Sequence, residues 1–117
     1  MALEQLQHNA ANLAPGRSFE SFARSAWEMP EQFAPFRYSC LAHGLGMSGE
    51  YPYIAPSVMD RPHPLRGSFE PGIVVCVESY IGNPETAEGV KLEDQYLITD
   101  SGAERMSTAP FDERLQR

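Results

Sequence analysis

Two apolar, β-branched stretches joined by a turn leave this chain few ways to fold other than around a β-hairpin. Residues 73–80 (IVVCVESY) and 90–98 (VKLEDQYLI) have the composition of strands. Residues 82–89 (GNPETAEG) between them have the composition of a turn. If the hairpin closes symmetrically at the centre of this turn, Glu78 lies directly opposite Glu93.

Two directly opposed carboxylates need a positive charge between them. The Cβ atoms of such a pair lie roughly 4.5–5.5 Å apart, and like charges at that separation are destabilising. A metal ion is the natural candidate, with the imidazole of His43 as a nitrogen ligand. Glycines follow this histidine at positions 44 and 46 and allow backbone or ligand to approach closely. A slip of one residue in the register would put the two glutamates on opposite faces of the sheet.

Each of these three residues also has an ordinary structural explanation. A single HGxG segment is more often a packed histidine beside a turn, and Glu78 on an edge strand would face water. Lys91 lies two residues from Glu93 and is a candidate ion-pair partner on the same strand face. One imidazole and two carboxylates suit manganese, iron, cobalt or zinc better than copper. Three protein ligands are few for a two-metal site, and Asp94 is expected to face away from Glu93.

Elements on both sides of the hairpin predict an α+β fold. Leucines and alanines spaced by three and four over residues 2–13 predict an amphipathic helix. Ser18 is predicted to cap a second helix over about residues 19–28. Residues 103–107 are predicted to add a short strand after the hairpin. We therefore expect one domain, with two helices packed on a mostly antiparallel sheet.

The segment between the second helix and the hairpin has a less regular pattern. Alternating aromatics and prolines over residues 30–38 predict an extended segment, followed by a short strand over residues 38–43. Glycines and prolines are concentrated in residues 44–71, which are predicted to form a long loop. His63 lies in this loop and is predicted to be solvated.

Composition excludes several classes of protein. With 117 residues, 42% of them hydrophobic, the chain is long enough for one modest core. Its net charge of −7 argues against binding to nucleic acid or to an anionic membrane. The N-terminus has no basic segment followed by an apolar one, so we expect a cytoplasmic protein. Cys40 and Cys76 lack CxxC spacing and are predicted to be buried free thiols, although a disulfide remains open.

Four short motifs occur in a fixed order along the chain. They are His43–Gly46 (HGLG), Phe69–Glu78 (FEPGIVVCVE), Gly89–Asp94 (GVKLED) and Thr99–Glu104 (TDSGAE). With these motifs, the chain from about Leu3 to Pro110 resembles the pita-bread metallopeptidase family, which includes methionine aminopeptidases, prolidases, aminopeptidase P and creatinase. The resemblance implies that residues 1–117 form the C-terminal half of a pita-bread catalytic domain.

The resemblance also implies a ligand set. In that family two divalent metal ions share five protein ligands. His43 and Glu78 would bind one metal, Glu93 would bridge both, and Glu78 would shuttle the proton of a metal-bound water. The two aspartate ligands of the family lie on strands that precede the helix matching residues 2–13. This chain is therefore expected to be inactive by itself, while the complete site holds two ions of manganese, iron, cobalt or zinc.

The local sequence departs from two branches of the family. Prolidases and aminopeptidases P usually carry a second histidine seven residues after the first, where this chain has Glu50. Other segments are similar to the dimethylsulfoniopropionate lyases of the same fold, in which a tyrosine matching Tyr38 lines the site. Those enzymes have an aspartate as the proposed base six residues after the histidine. Gly49 occupies that position here, with Glu50 beside it as a substitute.

These resemblances imply a metal-dependent hydrolase of the Xaa-Pro peptidase type, with Tyr38, Glu50 and Glu78 as the catalytic residues. A lyase similar to those acting on dimethylsulfoniopropionate is the first alternative. A non-catalytic fragment or binding module that retains the half-fold is the second. The expected partner is a small peptide or a small carboxylate, and a homodimer could cover an exposed sheet edge.

Overall fold

The fold is built on one antiparallel sheet whose five strands have the spatial order β2-β1-β3-β4-β5. The computed structural model describes residues 1–59 and 65–116. The strands are β1 (Ala42–Leu45), β2 (Gly49–Ile54), β3 (Val74–Asn83), β4 (Glu88–Thr99) and β5 (Gly102–Arg105). The predicted α+β fold with an antiparallel sheet is confirmed.

The hairpin of β3 and β4 has the predicted register. Glu78 is paired directly with Glu93, and the pairing continues without a shift from Val74 to Asn83. Side chains alternate between the two faces of a strand. Val75 and Val77 therefore point into the hydrophobic core, while Cys76 and Glu78 share the opposite face of β3.

Two helices cover the core face of the sheet, as predicted, and both are shorter than expected. Helix α1 runs over Ala2–Ala11 and helix α2 over Phe19–Arg24. The Gln5 side chain on α1 accepts hydrogen bonds from the Tyr80 backbone N–H, at 3.1 Å, and from the Ser79 hydroxyl, at 2.9 Å. These bonds hold α1 against β3, the strand that carries Glu78.

Aromatic side chains fill the space between α2 and the sheet. The ring of Phe69 meets the rings of Phe19 and Phe22 edge to face, with centroids 5.0 and 5.3 Å apart. All three side chains are fully buried together with Leu6. Aromatic pairs in this geometry add to the stabilisation that burial alone provides.

Two predictions for the middle of the chain are wrong. The segment 30–38 was expected to be extended, but Glu31–Phe36 form a 3₁₀ helix whose first turn is closed by a hydrogen bond from Phe33 N–H to the Pro30 carbonyl. The loop predicted over residues 44–71 contains the end of β1 and all of β2. Because β2 is an edge strand, it accommodates Pro52, which composition alone assigns to a loop.

The remaining predictions outside the helices and hairpin are shifted by a few residues. The strand expected at 38–43 is β1, which begins at Ala42, and the strand expected at 103–107 is β5. Cys40 and Cys76 are buried and free, as predicted. His63 lies outside the described residues. None of the helices within the described residues has the length and apolar character needed to cross a membrane.

The cap of α2 gives a first test of the fold. Ser18 has extended backbone geometry, and its hydroxyl accepts a hydrogen bond from the Ser21 backbone N–H at 3.1 Å. We expect Ser18→Ala to lower the free energy of unfolding by about 1 kcal/mol, because that N–H loses its partner. Urea unfolding measures the change, with Ser48→Ala, at an exposed position, as the control. Equal losses in both variants would contradict the capping role.

Candidate metal centre

Three neighbouring strands bring the three predicted ligands together. His43 on β1 is paired with Cys76 on β3, and Glu78 on β3 is paired with Glu93 on β4. Since side chains alternate along each strand, all of these residues face the side of the sheet opposite the helices. The hairpin register therefore places the side chains of three sequence-distant segments at one site.

Glu78 lies at the centre of the site. Its side chain is only 4% exposed, so the alternative of an edge glutamate facing water is wrong. The His43 Nε2 atom lies 3.3 Å from Glu78 Oε1. The other ring nitrogen, Nδ1, lies 2.8 Å from the Gly44 carbonyl oxygen, which can only accept a hydrogen bond. Nδ1 therefore carries a proton, and Nε2 is the ring atom that faces the Glu78 carboxylate.

The directly opposed carboxylates of Glu78 and Glu93 require a positive charge beside them. In this structure the positive charge comes from Lys91, whose ammonium group pairs with Glu78 Oε2 and lies 3.1 Å from Glu93 Oε2. Partial burial opposes the charged form of Lys91, but hydrogen bonds to the two carboxylates outweigh it and raise the pKa of the lysine. The sequence suggested Lys91 as a partner of Glu93 only; the structure places it against both glutamates.

Cys76 adds a contact that sequence reasoning missed. Its thiol donates a hydrogen bond to Glu93 Oε1 at 3.2 Å, and burial raises the pKa of the thiol. Ligand atoms of His43, Cys76 and Glu93 all lie within 4.8 Å of one another. The position of Cys76 in the sequence could have indicated this contact, because Cys76 precedes Glu78 by two residues and therefore shares its face of the strand.

Tyr38 and Glu50, the other two predicted catalytic residues, border a cleft of about 510 Å³ beside the centre. The cleft is lined by Tyr38, Cys40, His43, Gly49, Glu50, Tyr51, Tyr53 and Glu78. The Tyr38 ring centroid lies 4.8 Å from the Lys91 ammonium. The negative charge of Glu78 raises the pKa of the Tyr38 phenol, so this group remains protonated at neutral pH.

Glu50 is turned toward the β1–β2 turn. Its carboxylate accepts a hydrogen bond from the Met47 backbone N–H at 3.2 Å and lies over Gly46. Position 49 faces the histidine more directly, since a β-carbon at Gly49 would lie 3.7 Å from His43 Nδ1. The carboxylate of Glu50 is exposed and held by this single described hydrogen bond, which leaves it free to reorient into the cleft.

Asp94 lies away from this site, as expected. It is almost fully buried and pairs with the Arg105 guanidinium across β4 and β5. His8 lies on α1, where its Nε2 atom is 2.9 Å from the Ser25 carbonyl oxygen at the end of α2 and connects the two helices. Within residues 1–59 and 65–116, the cluster of potential ligands is thus the one built on His43 and the hairpin.

Lys91 and a metal ion compete for the same carboxylates. We expect Lys91→Met to lower the melting temperature of the metal-free protein, because Glu78 and Glu93 then repel each other without a cation. Metal affinity should rise about tenfold once the ammonium group no longer has to be displaced. Thermal unfolding with and without zinc or manganese measures both effects. A variant with unchanged metal affinity would show that Lys91 does not compete.

The acid stability of the metal-free protein should depend on Glu93. The hydrogen bond from Cys76, followed by that from Lys91, lowers the pKa of the Glu93 carboxyl. Its contribution is therefore complete above the ordinary glutamate pKa of about 4.3 and is lost as the pH falls through the folded-state value. Urea unfolding between about pH 6 and about pH 3 should show a weaker pH dependence for Glu93→Gln. Glu88→Gln, at an exposed position of β4, should retain the wild-type dependence.

Comparison with known proteins identifies a family and two lyase relatives. The sequence profile of metallopeptidase family M24 matches residues 1–100. Dimethylsulfoniopropionate lyase DddP from Roseovarius nubinhibens is 36% identical over 114 residues, which cover 97% of this chain and 26% of the lyase. DddP from Roseobacter denitrificans is 32% identical over 117 residues, covering 97% of this chain and 25% of the lyase. The chain thus spans about a quarter of the length of these curated relatives.

Solved structures show the same fold. A prolidase from Pyrococcus furiosus superposes with a TM-score of 0.76 and 25% identity, over 94% of this chain and 31% of the prolidase. An X-Pro aminopeptidase from Thermotoga maritima superposes with a TM-score of 0.70 and 20% identity, over 95% of this chain and 30% of the enzyme. The predicted similarity to pita-bread enzymes is confirmed.

Proposed function

Because this chain belongs to metallopeptidase family M24, a family of divalent-metal-dependent enzymes, we propose that it carries the metal-binding part of an active site for a small carboxylate substrate. The first assignment is the lyase reaction for which its curated relatives are named. The chain would correspond to the C-terminal half of a pita-bread domain. The observation that carries the proposal is the convergence of His43, Glu78 and Glu93 on one face of the sheet.

The donor set fits a divalent metal ion. The Nε2 atom of His43 faces a buried carboxylate, and a second carboxylate lies directly across the hairpin. The structure already holds one cation there, the ammonium group of Lys91. His43 and Glu93, whose ligand atoms lie within 4.8 Å of each other and of the Cys76 sulfur, would hold the metal together with Glu78, which contacts His43. The bound ion would supply a Lewis acid beside the reacting end of the substrate.

The remaining chemistry belongs to side chains at the cleft. Lys91 must move from the two glutamates toward Tyr38, whose ring already lies beside it. The protonated Tyr38 phenol can donate a hydrogen bond to the substrate. In the elimination, Glu50 would accept the proton from the carbon next to the substrate carboxylate. The electron pair of that C–H bond then forms a carbon–carbon double bond while the carbon–sulfur bond breaks and dimethyl sulfide leaves.

The lyase assignment is supported by identity and by the residues of the cleft. The two lyase relatives are more similar to this chain in sequence than the prolidase from P. furiosus, at 36% and 32% against 25% identity. Tyr38 also lines the cleft. Glu50 occupies the position of the second histidine expected in Xaa-Pro peptidases.

A second candidate function is hydrolysis of Xaa-Pro peptide bonds. It is favoured by the close superposition on the prolidase fold. In this reaction Glu78 would move the proton of the attacking water, and the same three residues would hold the metal.

Release of dimethyl sulfide from dimethylsulfoniopropionate by the metal-loaded protein tests the first assignment. The assay is run on the chain alone and with the unmatched part of the R. nubinhibens lyase added as a separate polypeptide. Xaa-Pro dipeptides are assayed in the same preparations. Release of dimethyl sulfide supports the lyase assignment. Release of proline from the dipeptides supports the peptidase assignment. If a preparation that binds metal does neither, the chain is a non-catalytic binding module.

Three single substitutions distinguish the lyase reaction from the peptidase reaction. Gly49→Asp places a carboxylate beside the His43 ring, and its β-carbon has room there, so dimethyl sulfide release should increase if the lyase assignment is correct. Glu50→His restores the second histidine and should increase dipeptide cleavage if the peptidase assignment is correct. Glu50→Gln should abolish lyase activity. An active lyase that is unaffected by Glu50→Gln would show that Glu50 is not the base.

A further inference from the structure

A second cavity, of about 280 Å³, lies beside the metal-centre cleft. Tyr38 and Glu78 line both spaces, so the two adjoin at the side chains nearest the centre. Its other walls include Trp27, Arg37 and Tyr80. The size is slightly below the usual range of about 300–1,000 Å³ for ligand pockets, which suits a molecule of a few heavy atoms.

Arg37 is the cation of this cavity wall that has no ion-pair partner among the described residues. It is half-buried at the end of the 3₁₀ helix, and within residues 1–59 and 65–116 its guanidinium makes no hydrogen bond or ion pair. Arg24, in the same wall, pairs with Glu20 at 3.2 Å. Glu78 is already compensated by His43 and Lys91. The planar fork of donors on the Arg37 guanidinium matches a carboxylate.

We propose that this cavity is a subsite for the carboxylate of a small substrate and that Arg37 binds that carboxylate through two parallel hydrogen bonds. This inference rests on the proposed function, since it names where the carboxylate end of the substrate lies. With the carboxylate at Arg37, the rest of the molecule extends past Tyr38 toward the cleft that contains His43. The aromatic faces of Trp27 and Tyr80 provide apolar contact for the carbon chain between the two ends.

Trp27 offers a direct readout, because it is the single tryptophan of the chain and lines this cavity. Propionate and its uncharged analogue propionamide are titrated into metal-free protein while tryptophan fluorescence is recorded. The titration is repeated in Glu93→Gln, which removes a metal ligand and prevents residual metal from binding the probe. We expect a saturable change with propionate in both proteins and none with propionamide.

Three variants identify the residue responsible. Arg37→Gln should weaken propionate binding by at least about tenfold, because a charge-assisted pair is lost. Arg37→Lys should recover part of the affinity, since it keeps the charge and loses the planar fork. Arg66→Gln, at an exposed arginine outside the cavity, should bind like the wild type.

The charge of Glu28, an exposed residue in the cavity wall, gives an independent check. Glu28→Gln should strengthen propionate binding, because a like charge near the anion is removed. Equal binding of propionate and propionamide, or equal binding in Arg37→Gln and wild type, would overturn the proposal. Since no step requires metal or turnover, propionate binding through Arg37 in a protein without lyase or peptidase activity would reject the proposed reaction and leave the subsite intact.

Discussion

Replacing Glu78 with alanine is expected to remove most metal binding and to destabilise the metal-free protein. The carboxylate is 4% exposed and is contacted by both His43 and Lys91. Breaking a fully buried pair costs about 3–5 kcal/mol. Because the Lys91 side chain is 38% exposed and can turn to water, we expect a smaller loss, of about 2 kcal/mol. Metal affinity should fall by more than about 100-fold, since a ligand and its orienting contact to His43 disappear together.

Two further variants separate the two effects of Glu78→Ala. Glu78→Gln keeps the volume of the side chain and removes its charge, so it should lose less stability and nearly as much metal affinity. Glu88→Ala, at an exposed position of the same hairpin, should change neither. Urea unfolding and calorimetric titration with zinc and manganese provide the two measurements. If Glu78→Ala binds metal as the wild type does, the assignment of the centre is wrong.

Among residues without a functional side chain, Gly44 is expected to lose the most stability when it is replaced by alanine. A β-carbon at Gly44 would lie against the carbonyl oxygen of Tyr51, 2.6 Å from its carbonyl carbon and 3.0 Å from the Glu50 carbonyl oxygen. These atoms belong to the backbone of β2 and cannot rotate away. The pairing of β1 with β2 also shifts register between His43 and Gly44, so the substitution acts at the irregularity beside the imidazole.

We therefore expect Gly44→Ala to lower the free energy of unfolding by about 3 kcal/mol, at the upper end of the usual cost of overpacking. Metal affinity should fall as well, because separating β2 from β1 moves the His43 ring and its Nδ1 bond to the Gly44 carbonyl. Gly102→Ala is the matched control, since a β-carbon there meets nothing within 4 Å. A Gly44→Ala protein as stable as Gly102→Ala would show that β1 and β2 do not approach as closely as described.

The hairpin was predictable because its information is local. The two apolar stretches and the turn between them define a single symmetric register, and that register sets Glu78 opposite Glu93. The Ser18 cap was predictable for the same reason, since the bond involves residues three apart in the chain. The order of the motifs likewise indicated the family before any tertiary contact was known.

The contacts that complete the centre depend on long-range packing. Lys91 contacts Glu78 only because the hairpin brings β3 and β4 together, and Cys76 contacts Glu93 across the same pair of strands. The edge strand β2 was missed because its proline and glycine suggested a loop, whereas its pairing with β1 outweighs that local preference.

The sequence by itself determined the antiparallel hairpin, the pairing of Glu78 with Glu93, and the family to which the chain belongs. These depend on hydrophobic periodicity, turn composition and motif order, which are properties of neighbouring residues. Only the tertiary structure decided that a lysine bridges the two glutamates, that Glu50 turns toward Met47, and that Arg37 borders a cavity. Ion pairs form between side chains that the packing of sequence-distant strands brings together. A local sequence pattern does not contain the distances between such side chains.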